Sequence, residues 1–205
     1  MGLGITLLAL VPGTPACAQP PPPPPAPVVV SPPLSPEQDA EATRLYDEGR
    51  KLARMEQWIK ARDAFLRAWR LKPHWQIAAA LGRAELKAGL HRDAAEHLTA
   101  SLRDAPAGLD EADRKELQSM NAKARARVGA LTITVDPPGA EVLVNGLSVG
   151  KTPLQDVVFV DPGPVFVEAR LAGYTSRKDS RTLAPGKRED VRFLLSRLLF
   201  RPETD

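Results

Sequence analysis

"VNGLSVGKTPL", residues 144–154, admits two incompatible folds. Read as Gly146 followed by Gly150-Lys151-Thr152, it approaches a phosphate-binding loop, which sits between a strand and a helix. Read as Asn145-Gly146 after the strand-forming run 141–144, it is the turn of a β-hairpin, with φ > 0 at both turn residues. Spacing decides between them. The phosphate loop requires four residues between its glycines, and only Leu147, Ser148 and Val149 stand here. Pro153 then disfavours α conformation at Thr152, and strand residues follow instead of a helix. The hairpin reading holds, Lys151 is a turn lysine, and no nucleotide is expected.

The segment around this hairpin has the same character. From Gly129 onward β-branched residues alternate with polar ones, and turn signals recur at Pro137-Pro138-Gly139, Asp161-Pro162-Gly163, Ala172-Gly173 and Pro185-Gly186. Short strands between frequent turns predict a small antiparallel β-sandwich over 129–197. Strands are placed at 131–135, 141–144, 156–160, 165–171, 177–182 and 189–195. "LTITVDPPGAEVLVNGLSVGKTPL", "DPGPVFVEARLAGYTS" and "LAPGKREDVRFLL" together resemble the PEGA domain, although Pro137-Pro138 stands where that module's naming turn has Pro-Glu. The resemblance implies a non-catalytic module of bacterial envelope and surface proteins, with no catalytic residues to carry over.

Upstream, residues 36–128 read as helical. Ser35-Pro36-Glu37-Gln38 forms a capping box with proline at the first helical position, so a helix begins at Pro36. Gly49, Ala61, Phe65, Ala68 and Pro73 recur as Gly82, Ala94, Leu98, Ser101 and Pro106, each displaced by 33 residues without a gap. Small residues that let helices approach, a large apolar one between them and a closing proline define a helix-pair repeat. The pattern resembles the tetratricopeptide repeat, with one repeat from Ala42 to about His74 and a second from Trp75 to about Pro106. It departs from that pattern at Leu45, Leu52 and Glu85. Residues 109–128 are expected to form an amphipathic helix capping the stack.

The resemblance places Tyr46, Arg50 and Arg54 of the first repeat, and Arg83 and Lys87 of the second, on the inward helix faces. Their steps of four independently put them on shared faces. The expected groove is basic and suited to a protein or acidic peptide.

Residues 1–18 carry no charge, hold a short apolar run and end in Ala16-Cys17-Ala18, the pattern of a signal peptide with cleavage before Gln19. Cys17 is then discarded; alternatively it carries a lipid anchor, although the large apolar residue of a lipoprotein box is missing. Residues 19–35 are a proline-rich spacer, and 198–205 a short tail. The expected location is the periplasm or envelope of a bacterium.

No enzymatic constellation emerges. His74, His91 and His97 lack metal-ligand spacing and are expected at the surface, with no metal or cofactor. A net charge of +3 from 28 basic and 25 acidic residues, with 5% aromatics, argues against nucleic acid. The expectation is an exported, non-enzymatic adaptor whose helical groove binds a protein. The alternative is a structural envelope protein whose sandwich contacts peptidoglycan or another glycan.

Overall fold

A computed structural model describes residues 35–198. The expected signal peptide, Cys17, the expected spacer before Ser35 and the tail beyond Leu198 lie outside the described residues. Within them, five helices are followed by seven strands: α1 (Pro36–Arg54), α2 (Trp58–Leu71), α3 (Trp75–Lys87), α4 (His91–Asp104), α5 (Glu111–Arg125), β1 (Gly129–Asp136), β2 (Glu141–Val144), β3 (Leu147–Lys151), β4 (Val158–Val160), β5 (Gly163–Arg170), β6 (Arg177–Leu183) and β7 (Arg188–Leu194).

The capping box opens α1 as the sequence requires. The Gln38 backbone N–H donates to Ser35 Oγ at 3.2 Å, and the Ser35 N–H donates to Gln38 Oε1 at 3.1 Å. The 33-residue repeat is a repeat of contacts. A Cβ at Gly49 would lie 2.6 Å from the Phe65 ring, and one at Gly82 would lie 2.6 Å from Leu98 Cγ. In each pair, therefore, the first helix meets the large residue of the second at a position only glycine fills. The registered small residues Ala61, Ala68, Ala94 and Ser101 are buried, while the closing prolines Pro73 and Pro106 are exposed.

The strands form two sheets, ordered β4-β1-β7 and β3-β2-β5-β6, enclosing Leu131, Val142, Val165, Val167, Leu183 and Val191. Two features depart from expectation. β1 and β7 pair in parallel, from Ala130 opposite Arg188 to Asp136 opposite Leu194, so the three-stranded sheet is mixed. Parallel partners need a long crossover, and the whole second sheet provides it. The second departure is β3, which the sequence reading passes over. Its Leu147, Ser148, Val149 and Lys151 are all exposed, so no alternation marks it. It is an edge strand whose register with β2 shifts between Val142 and Leu143, leaving a bulge of the kind that blunts sheet edges.

The opening stretch resolves into this edge hairpin. Asn145 has φ 51° and Gly146 φ 83°, the two positive values the turn requires. Lys151, expected in a turn, is instead the last residue of β3, opposite Glu141 in the ladder. Thr152 is buried and joins the 137–140 turn: its N–H donates to the Ala140 carbonyl at 2.9 Å, and its Oγ1 accepts the Ala140 N–H at 3.2 Å.

The helices and the sandwich share a core. Ala130 of β1 and Phe159 of β4 turn away from the sandwich interior and pack with Ala95, Leu98, Leu117, Met120, Ala124 and Val128. Arg125 stands over the Phe159 ring at 5.8 Å. The ion pairs Arg103–Asp156 and Arg92–Asp161 tie α4 to the loops flanking β4. This double duty explains why Gly129, Ala130 and Leu131 are buried consecutively, with no exposed face.

Candidate functional site

A groove of about 380 Å³ runs across the inner faces of α1, α3 and α5, within the usual range for ligand pockets. Of the five residues expected there, Tyr46, Arg50, Arg54 and Arg83 line it. Lys87 does not; its ammonium lies 5.9 Å over the ring of Trp58, which does line the groove. Lys87 is the last residue of α3, one turn beyond Arg83. Inside, Tyr46 packs on Phe65 with ring centroids 5.6 Å apart, and Arg50 stacks over Tyr46 at 5.9 Å. Such cation–π stacking holds a guanidinium in place while leaving its edge donors free.

The sequence reading missed two groups of lining residues. The first is apolar: Trp58, Trp75, Ala79 and Ala80, where the alanines keep the floor of α3 low between aromatic walls. The second is acidic. Asp113 and Glu116 of α5 form the far wall, and Arg83 donates to Glu116 Oε1 at 2.7 Å across the groove. The groove is thus positive on α1 and negative on α5, not uniformly basic. A signal was available, since the 33-residue step from Arg50 to Arg83 continues to Glu116.

Behind the groove lies a buried ionic cluster. Glu85 of α3 is fully buried, with its Oε2 at 2.8 Å from His97 Nδ1 and its Oε1 at 3.7 Å from Arg62 Nε. Arg62 also reaches Asp93 at 3.4 Å. Burial pushes the Glu85 carboxyl above the usual glutamate range, against the opposing pull of His97. Burial draws His97 down, but its hydrogen bond to Glu85 and that carboxylate's charge outweigh it, so the net shift is upward. The expectation of surface histidines is corrected: all three are half-buried. His97 also packs edge-on to Trp69 at 6.0 Å, and the His74 ring accepts the Gln76 N–H at 3.3 Å to cap α3. Among the described residues no group of three or more His, Cys, Asp or Glu is placed to hold a metal, and no helix is long and apolar enough to cross a membrane.

Residues 128–195 match the PEGA domain family, about a third of the 205-residue chain and the whole of the sandwich. No curated protein and no solved structure matches the chain. The five helices before the match carry the internal repeat of contacts but match no tetratricopeptide family.

Proposed function

We propose that the chain is a non-enzymatic adaptor of the bacterial envelope, whose helices form a tetratricopeptide-like unit that binds a segment of a partner protein. PEGA domains are as a rule modules of extracellular or periplasmic proteins, which together with the signal-like residues 1–18 supports export. The observation that carries the reading is the groove itself. It has the rings of Tyr46, Trp58 and Trp75 for apolar contact, backed by the buried Phe65, and Arg50 and Arg54 for orientation. Large rigid aromatics and arginines are the residue types that carry most binding energy at interfaces. The test is selection of random twelve-residue peptides on the whole chain, followed by affinity measurement with an Arg50→Glu/Arg54→Glu variant. Enriched peptides that bind at micromolar Kd and weaken at least tenfold in the variant, with its circular dichroism unchanged, support the reading. Absence of enrichment, or binding indifferent to the variant, overturns it.

A second reading, glycan binding by the sandwich, draws on Phe166, which stands 63% exposed on the outer face of β5. It borders a hollow lined also by Glu168, Lys178 and Ser180. An exposed ring flanked by polar groups suits an apolar sugar face. Sedimentation with purified peptidoglycan that is lost in Phe166→Ala supports this reading, and failure to sediment removes it.

A further inference from the structure

Opposite charges stand unpaired on the two sides of the groove. Arg54, the last residue of α1, has no ion-pair partner among the described residues, and neither has Asp113 in the first turn of α5. Arg50, next to Arg54 on the lining, is held only loosely by Asp47 at 3.6 Å. Between the two sides, Arg83 and Glu116 neutralise each other at 2.7 Å, so the middle of the groove offers little net charge and an apolar floor of Trp75, Ala79 and Ala80. From α1 across α3 to α5 the surface therefore runs positive, neutral and apolar, then negative.

We infer that the groove selects a charge-split peptide segment: an acidic residue against Arg50 and Arg54, an apolar centre over Trp75 and the alanines, and a basic residue against Asp113. This rests on the adaptor reading above and replaces the acidic peptide expected from the sequence with one carrying both signs. A uniformly acidic segment satisfies the α1 side but sets a like charge against Asp113, and like-charge juxtaposition is how interfaces reject wrong partners.

The test uses the whole chain and four blocked peptides sharing an Ala-Leu-Phe-Leu-Ala centre. Two carry a pair of Glu on one side and a pair of Lys on the other, in both orders; the third has Glu on both sides and the fourth Lys on both sides. Fluorescence anisotropy in about 20 mM salt is expected to show one split peptide binding at least tenfold tighter than either uniform one. The preference should shrink in about 500 mM salt, where screening shortens the reach of exposed charges. In Asp113→Lys the order reverses, with the all-Glu peptide overtaking the split one. Asp113→Asn is a milder variant whose folding is checked by melting, and it should bring the two level. If the all-Glu peptide binds as well as the split ones and neither Asp113 variant alters the ratio, the charge-split inference is wrong while the groove reading stands. If none of the four binds yet the random selection yields groove-dependent peptides, the inference is likewise wrong. If the selection also yields none, the groove reading itself falls.

Discussion

Gly82→Ala adds a single methyl group at the closest approach of α3 and α4. That methyl would lie 2.6 Å from Leu98 Cγ, 3.0 Å from its Cδ2 and 3.2 Å from its backbone nitrogen. Carbon atoms prefer separations of about 3.5–4.0 Å, so the helices must part by roughly an ångström. The backbone nitrogen cannot rotate away as a side chain can. Overpacking of this kind costs about 1–3 kcal/mol. Against it, alanine gains about 1 kcal/mol over glycine in a helix interior. The net expectation is a loss of about 0–2 kcal/mol, or up to about 8 °C in Tm for a chain of this size. Urea unfolding of the single variants and of Gly82→Ala/Leu98→Ala forms a cycle. Leu98→Ala alone costs about 2–5 kcal/mol through its cavity, but it also removes the obstacle, so the double variant should be more stable than the sum of the singles by about 1 kcal/mol or more. Gly108→Ala, where no atom lies within 4 Å of the added carbon, serves as control and should shift stability by less than about 0.5 kcal/mol. A Gly82→Ala protein clearly more stable than the parent, or singles that add without coupling, would refute the close-approach argument.

The buried pair Glu85–His97 makes stability depend on pH. Both groups are shifted upward, so the folded state holds their protons more tightly than the unfolded chain does. His97 therefore contributes stability that is fully present below the ordinary histidine value and lost as pH rises through its raised folded value. Urea titrations from about pH 6 to about pH 9 should show a steeper decline in the parent than in His97→Gln, and parallel curves would contradict this assignment. Phe159→Ala in the sandwich should cost about 3–5 kcal/mol. Because Trp58, Trp69 and Trp75 all lie in the helices, tryptophan fluorescence should register that loss; an unchanged fluorescence midpoint would show that the shared core does not couple the halves. Asn145→Ala forces a residue with a Cβ but no polar cap into φ 51° and removes the acceptor for the Phe166 N–H, so a loss of about 1–2 kcal/mol is expected. Asn145→Gly should lose less, and equal losses in thermal melts would count against the turn assignment.

What the sequence discloses is whatever depends on neighbours a few residues away. The capping box at Ser35, the hairpin turn at Asn145-Gly146 and the period of 33 are local or registered signals, and each corresponds to a specific bond or contact. β3 escapes because an edge strand exposed on both faces has no hydrophobic alternation to read. The parallel union of β1 with β7 escapes because nothing in either strand's own pattern names its partner, and the consecutive burial of 129–131 reflects two cores meeting on one strand.

The groove follows the same division, and that determines what kind of site it is. Its basic side was legible because Arg50 and Arg83 repeat in register. Its acidic side was not, because α5 carries none of the five small and apolar marks that identify the first two pairs. Yet α5 takes the place of a third inner helix. It buries Leu117, Met120 and Ala124 against the stack and the base of the sandwich, which leaves Asp113 and Glu116 facing the open space. Asp113 stands in the first turn, where an acidic side chain also complements the helix dipole, and Glu116 is bound to Arg83. Arg54 on one side and Asp113 on the other, neither with an ion-pair partner among the described residues, give a ligand something of each sign to complete. The sequence thus specifies that a groove exists, whereas its polarity follows from how the last helix is pinned between repeat and sandwich.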